Sequence, residues 1–194
     1  AKFWYNFACS VIGVTHWNNR LNCASNDQYQ TARRATEKVI ELGYKRPLLV
    51  VPESDDRLLD EKFSAGFFSI ARRLNPKNQL GLLPLQMDNL DAAVRTIKKQ
   101  KPDVILTNKT ECYTELQAAG IRIPDELGVV HIDWHDAISH LAGMRQNNRV
   151  VGSAGVDLVV SQLQKNEFGA LEFPKVVHIE SVWVDGQSVR SAGV

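Results

Sequence analysis

The chain alternates short apolar runs with longer segments of helical period, and this alternation constrains its fold more than any other feature. The apolar runs at 47–51, 104–106 and 129–132 have the length and composition of buried parallel strands. The segments between them carry apolar residues at spacings of three and four, as amphipathic helices do. Strands that alternate with helices in this way form a parallel sheet covered on both faces. We therefore predict an α/β fold in which a three-layer parallel sheet is flanked by helices.

The same patterns predict where the individual elements lie. The clearest helix is predicted over 28–42, because Ala32, Ala35 and Val39 form an apolar stripe and Gly43 ends it. Further helices are predicted to end near Leu74 and to cover 90–99, 110–119 and 151–164. Further strands are predicted over 7–14, 21–25, 80–85, 176–179 and 182–184, with a turn at 18–19 joining the first two. Residues 52–57 and the segment around 143 are predicted to be loops.

Composition narrows the possible partners and the compartment. The net charge is +1, with 23 basic and 22 acidic residues, so the chain lacks the basic excess of a module that grips DNA. Its three cysteines, Cys9, Cys23 and Cys112, are far apart and show no zinc-binding spacing, which favours reduced thiols in a cytoplasmic protein. No apolar run reaches the roughly 18 residues of a membrane span. Contact with a membrane is therefore not expected, and because the first six residues lack the pattern of a signal peptide, a periplasmic address is not expected either.

The sequence also lacks the common catalytic signatures. It contains no GxSxG elbow, no GxxxxGK[ST] phosphate loop and no GxGxxG fingerprint. One pattern leaves a catalytic alternative open, because His131, Asp133 and His135 would share one face of an extended strand, as metal ligands do. However, the strand is expected to end near Asp133, and a histidine inside an apolar run is typical of a protein core. We predict a protein that is not an enzyme and has no cofactor, with a metal-dependent hydrolase as an alternative.

Three segments carry a family resemblance. The first is Asn26-Asp27 with the helix that ends in the sequence IELGYKRP, and the second is Ala65-Gly66-Phe67. The third is the sequence PDVILTN at 102–108, followed by AGIRIPDELGVVHID at 119–133. Their order and spacing resemble the effector-binding domains of the LacI/GalR family of bacterial transcription regulators. The resemblance covers residues 23–190.

This resemblance implies a fold and a domain organisation. The fold would be periplasmic-binding-protein-like, type I, with one nearly complete lobe and a remnant of the second. Residues 46–144 and 171–194 would form the C-terminal lobe, and residues 1–45 and 145–170 would be the remnant of the N-terminal lobe. The chain would be truncated at its N-terminus, so that DNA is contacted only through a helix-turn-helix domain absent from it. The partners implied are a small-molecule effector, expected to be a sugar, and a second copy in a homodimer.

Candidate ligand-binding residues come from the strand ends and from the resemblance. Ligands of doubly wound sheets bind at the carboxyl ends of strands, which is where Asn108 and Asp133 are expected, while Asp27 precedes the first helix. Trp134 and Phe63 offer aromatic faces for a sugar. The resemblance implies ligand contacts for Asn108, Asp133 and Gln146. Where relatives commonly carry an arginine, this chain has Phe63 with Lys62 beside it. The candidates are Asp133, Asn108, Trp134, Gln146, Asp27, Phe63 and Lys62.

Each of the main candidates also has a purely structural interpretation. Asn108 with Glu111 three residues later forms a possible capping box, and Asp27 is a possible helix N-cap. Trp134 is able to pack under a loop, and Gln146 to bond backbone groups. Taken together, the sequence predicts the effector-binding and dimerisation domain of a LacI-type regulator. A solute-binding protein of a sugar transporter shares this fold and is the first alternative.

Overall fold

The computed structural model describes residues 5–13, 20–87 and 89–190, which form two compact units. The smaller unit comprises the described residues within 1–27 and 146–181, and the larger comprises those within 28–145 and 182–194. Nine strands and six α-helices occur in this part of the chain. They are β1 (Ser10–Ile12), β2 (Asn22–Asn26), α1 (Gln28–Glu41), β3 (Pro47–Val51), α2 (Glu53–Leu58), α3 (Lys62–Ala71), β4 (Leu82–Pro84), α4 (Leu90–Gln100), β5 (Val104–Thr107), α5 (Thr110–Ala118), β6 (Gly128–Trp134), β7 (Ala142–Arg145), α6 (Asn148–Lys165), β8 (Val176–Ile179) and β9 (Val182–Val184).

The larger unit is built on a six-stranded sheet with the order β4-β3-β5-β6-β7-β9. All neighbouring strands in it are parallel except β9, which runs antiparallel to β7. Alternate residues of each central strand point to opposite faces, so that Leu49 packs in one apolar cluster and Leu48 in another. The first cluster includes side chains of α1 and α3, and the second includes side chains of α4 and α5. The predicted three-layer α/β fold is thus confirmed.

The smaller unit contains a three-stranded parallel sheet with the order β1-β2-β8. Helix α6 packs on this sheet, with Ala24, Val151 and Leu158 buried between them. The buried side chain of Gln162 donates to the carbonyl of Cys9 at 2.9 Å, tying α6 to the chain just before β1. Strand β1 is shorter than the predicted 7–14, and the turn predicted at 18–19 lies outside the described residues.

The division between the units differs from the one inferred from the resemblance. Residues 28–45 lie in the larger unit because α1 packs along α3, and Ala32, Ala35 and Val39 are part of its core. Residues 171–181 lie in the smaller unit because β8 pairs with β2. The boundaries therefore fall where packing and strand pairing change, at 27/28, 145/146 and 181/182.

Two segments predicted as loops are regular elements. Residues 142–145 form strand β7, whose Gly143 pairs with His131 so closely that a Cβ would collide with the carbonyl oxygen of His131. The polar segment after β3 is the short helix α2, which has Glu53, Asp55 and Asp56 in its first turn. Acidic side chains favour a helix N-terminus because they complement the helix dipole. None of the helices in the described part of the chain combines the length and apolarity that a membrane crossing requires.

Candidate ligand-binding site

The candidate site lies at the carboxyl edge of the large sheet, where three adjacent parallel strands end. Strands β3, β5 and β6 are neighbours in register, with Val50 opposite Thr107 and Thr107 opposite His131. The chain after β3 leads into α2 and brings Asp55 to this edge, while Asn108 and Lys109 follow β5 directly. Asp133 is the next-to-last residue of β6. Ligands of open parallel sheets bind at this edge.

Asp55, Asn108 and Lys109 form a hydrogen-bonded network. The amide nitrogen of Asn108 donates to Oδ2 of Asp55 at 2.8 Å, and the ammonium of Lys109 lies 2.8 Å from the same oxygen. Burial alone would raise the pKa of the Asp55 carboxyl, but the Lys109 ammonium and the Asn108 amide outweigh it and lower the pKa. Asp55 is therefore an ionised carboxylate that holds two side chains of the neighbouring strand end in place.

Asn108 does not form the predicted capping box with Glu111. Helix α5 begins at Thr110, its N-cap residue is Lys109, and no side chain caps it by a hydrogen bond. The capping interpretation of Asn108 is thus wrong, because its amide nitrogen bonds Asp55 and its side-chain oxygen accepts from no helix N–H. A carboxylate only accepts, so the Asn108 nitrogen must face it. The Asn108 carbonyl oxygen is buried and has no hydrogen-bond partner in the part of the chain that the structure describes.

Asp133 presents an accessible carboxylate at the end of β6. It is the one exposed residue of this strand, whose other six residues are buried. The surrounding protein partly desolvates the carboxyl and raises its pKa, although the nearby His135 and Lys109 act in the opposite direction. Asp133 is therefore open to a ligand while lying close enough to Lys109 for their charges to interact.

His131 is a core histidine. It is 3% exposed, and its Nδ1 accepts a hydrogen bond from the backbone N–H of Asp133 at 3.3 Å. Its Nε2 lies 3.5 Å from the hydroxyl of Thr110. Burial lowers its pKa to about 4, with a smaller contribution from His135, so the ring is neutral at pH 7. No three His, Cys, Asp or Glu side chains are grouped as metal ligands among residues 5–13, 20–87 and 89–190, which leaves the metal-dependent alternative without a coordination set there.

The two aromatic candidates are packed in apolar clusters away from solvent. Trp134 is 6% exposed, contacts Ile138 and Leu141, and donates its indole N–H to the Leu141 carbonyl at 2.8 Å. Its partner in β7, Arg145, lies over the indole ring at 6.0 Å. Phe63 is 2% exposed and belongs to the cluster that joins α1 and α3 to the sheet. The predicted packing of Trp134 under a loop is what the structure shows, and neither ring offers an open face.

The remaining candidates belong to other elements of the fold. Lys62 is the half-buried first residue of α3. Asp27 and Gln146 belong to the smaller unit, where the Asp27 carboxylate lies 3.8 Å from Nδ1 of His178 and its backbone N–H donates to Ile179. The structure thus brings together Asn108 and Asp133 from the predicted set, and it adds Asp55 and Lys109.

Two surface cavities lie elsewhere in the larger unit. One of about 550 Å³ runs along α3 and is lined by Tyr29, Phe68 and Arg72, among others. The other, of about 760 Å³, includes Lys38 and Arg190 in its lining. Neither is lined by the strand-end residues. The strand-end cluster is nevertheless the better candidate, because it combines the open carboxylate of Asp133 with a fixed polar network at the edge where open parallel sheets bind ligands.

The fold is similar to that of solved LacI-family regulators. No family model and no curated protein matches the sequence. A LacI family regulator from Enterococcus faecium with bound ribose has a TM-score of 0.72 and 19% identity, over 93% of this chain and 69% of its own. A LacI family regulator from Silicibacter pomeroyi has a TM-score of 0.72 and 16% identity, over 93% and 69%. The complex of the transcriptional regulator CelR with cellobiose has a TM-score of 0.68 and 17% identity, over 92% and 58%. The chain therefore shares the fold of these regulators, which is the periplasmic-binding-protein-like fold that the family resemblance implies.

Proposed function

We propose that this chain is the effector-binding part of a LacI-type transcription regulator and that its effector is a sugar. The observation that carries the proposal is the exposed carboxylate of Asp133 beside the Asn108–Asp55–Lys109 network, at the strand ends where such folds bind ligands. Structurally similar regulators are described with bound ribose and with bound cellobiose, which supports a sugar as the ligand class.

The chemistry of the site suits a molecule with several hydroxyl groups. A carboxylate has two oxygens that accept hydrogen bonds, so Asp133 is able to hold two neighbouring hydroxyls. The buried Asn108 carbonyl oxygen is a further acceptor, and leaving such a group unpaired costs about 1–3 kcal/mol. A hydroxyl donor supplied by a ligand, directly or through water, would remove that cost. Asp55 and Lys109 fix the amide in the orientation that such binding requires.

In this proposal the chain senses a ligand and does not catalyse a reaction. A ligand changes a regulator only if it binds one conformation more tightly than another. The coupled output is DNA binding by a helix-turn-helix domain elsewhere in the protein, in a cytoplasmic homodimer. The ligand-binding residues proposed here are Asp133 and Asn108, with Asp55 and Lys109 as positioning residues.

The test is a thermal-shift screen of the chain against monosaccharides, disaccharides and nucleosides, with D-ribose and cellobiose included. A ligand at about 100 times its dissociation constant stabilises the folded state by roughly 2.7 kcal/mol. We expect at least one sugar to raise the melting temperature of the wild type and to lose its effect with Asp133→Asn. The matched control is Asp136→Asn, which removes another exposed carboxylate three residues later. Absence of any sugar response, or an equal response of both variants, contradicts the proposal.

A further inference from the structure

We infer that the Asp55–Lys109 ion pair makes the site selective for uncharged ligands, so that it accepts a sugar and rejects the phosphorylated form of that sugar. This inference rests on the proposed ligand site and adds a determinant of specificity to it. The two residues act on the ligand's charge, whereas Asp133 and Asn108 act on its hydroxyl groups.

An anionic ligand would need a free cation, and the one at this site, the Lys109 ammonium, is already paired with Asp55. The Lys109 ammonium is 2.8 Å from Oδ2 of Asp55, and the Asn108 amide donates to the same oxygen. The side chains of Lys109 and Asp55 are 30% and 28% exposed, so their pairing is only partly screened by solvent. A phosphate that approached Lys109 would have to displace Asp55 or lie beside its negative charge.

The remaining charges at this edge also disfavour an anion. Asp133 is a second carboxylate; burial raises its pKa, and Lys109 is close enough that its ammonium opposes this rise. His131 carries no charge at neutral pH because burial lowers its pKa to about 4. Arg145, at the end of the next strand, extends over the ring of Trp134, 6.0 Å from its centroid. Among Asp55, Asp133 and Lys109, two carboxylates are set against one ammonium, so the summed charge of these three side chains is negative.

Removing the charge of Asp55 should convert this edge into an anion site. The variant Asp55→Asn keeps a side-chain oxygen that accepts from Asn108 and Lys109 while it releases the positive charge. A lysine ammonium freed in this way is an ordinary phosphate ligand. Double substitution with Lys109→Met removes the ammonium again and should abolish the gain.

The experiment is isothermal titration of the chain with inorganic phosphate, D-ribose 5-phosphate and D-ribose at pH 8, where histidine side chains are largely uncharged. The proteins are the wild type, Asp55→Asn, Lys109→Met, Asp55→Asn/Lys109→Met and the control Glu53→Gln. Glu53 precedes Asp55 on the same helix, but its partner is the exposed Arg57, at 2.6 Å. We expect Asp55→Asn to bind both phosphates at least about tenfold more tightly than the wild type, a change of about 1.4 kcal/mol. The double variant and the Glu53→Gln control should match the wild type.

Two results would overturn the inference. One is binding of inorganic phosphate to the wild type that disappears with Lys109→Met, since it shows that the ammonium is already available; this result needs no folded Asp55 variant. The other is an unchanged phosphate affinity of Asp55→Asn when circular dichroism shows that it is folded. Failure of every sugar to bind the wild type contradicts the proposed function instead, and the phosphate titrations decide the ion pair's role independently of it.

Discussion

At the scale of single residues, burial decides what each polar side chain at the sheet edge does. His131 and Asp133 are two positions apart on β6, in the stretch where its register with β7 shifts, and His131 is enclosed while Asp133 is open to solvent. The buried imidazole of His131 accepts a hydrogen bond from the backbone N–H of Asp133 and lies within 3.5 Å of the Thr110 hydroxyl, and it is neutral at pH 7. Asp133, at the end of the strand, is free to meet a ligand. The pattern His-x-Asp therefore joins a structural residue to a proposed binding residue.

The buried histidine predicts how stability changes with pH. The pKa of His131 in the folded chain is about 4, below the ordinary value of 6.5, so the unfolded chain takes up a proton first. The neutral His131 therefore contributes no pH dependence to the free energy of unfolding above pH 7, and this free energy falls as the pH drops through 6.5 towards 4. The loss approaches about 3 kcal/mol, since one pKa unit corresponds to about 1.4 kcal/mol. Urea unfolding of the wild type and His131→Gln across this range measures it.

The variant should show a shallower loss of unfolding free energy in acid than the wild type. The control is His140→Gln, which removes an exposed histidine and should retain the wild-type slope. Equal slopes for the wild type and His131→Gln would mean that other groups, and not the buried imidazole, cause acid destabilisation.

The candidate site was only partly predictable at this scale. Asn108 and Asp133 were found because they follow apolar runs, which mark strand ends in the sequence. Asp55 is not among the predicted residues because it lies four residues beyond β3, in helix α2, whose polar sequence is typical of a loop. Applying the strand-end rule to β3 would have drawn attention to this segment. Trp134 and Phe63 are both buried, and residue type alone does not reveal which face of an element a ring occupies.

At the scale of elements, the sequence predicts best those that are long and strongly apolar. Strands β3, β5 and β6 and helices α1 and α4 were expected close to their observed bounds because each has a clear period or an apolar run. Strand β7 was missed since its four residues include Gly143 and the charged Arg145. That strand exists because of the tertiary structure around it: its glycine allows it to approach His131 of β6.

Close helix packing predicts a strong effect of a single methyl group at Gly66. This residue is buried where α3 crosses α1, and a Cβ there would collide with the carbonyl oxygen of Tyr29 and lie 3.1 Å from the Cβ of Ala32. We expect Gly66→Ala to lower the free energy of unfolding by about 1–3 kcal/mol, because overpacking forces the helices apart. Chemical denaturation followed by circular dichroism measures the change.

A second helical glycine provides the control. At Gly152, in α6, a Cβ would meet nothing within 4 Å, so Gly152→Ala should be neutral or stabilise the chain by up to about 1 kcal/mol. If Gly66→Ala were as stable as Gly152→Ala, the close approach of α1 and α3 would not limit the residue at position 66.

At the scale of the whole molecule, the larger unit is assembled from two distant stretches of chain. After the smaller unit, the chain returns to it as β9, which pairs with β7. Val189 then joins the cluster that contains α1 and α3, and the backbone N–H of Arg190 donates to the hydroxyl of Tyr44 at 2.8 Å. Local patterns indicate the strand at 182–184 but carry no information about which sheet it joins. Its partner is determined by contacts far apart in sequence.

Ser188 links this returning segment to the sheet through two side-chain hydrogen bonds. Its buried hydroxyl accepts from the N–H of Ala142 at 2.8 Å and donates to the carbonyl of Val129 at 2.6 Å, so it bridges β6 and β7 near their start. Ser188→Ala leaves a buried N–H without its acceptor, and we expect a loss of about 1–3 kcal/mol in the free energy of unfolding. Urea titration should detect this loss, and Ser139→Ala, which removes an exposed hydroxyl, should leave the free energy of unfolding unchanged as the control. A Ser188→Ala chain as stable as the control would show that β9 and the core position of Val189 hold the segment without this bridge.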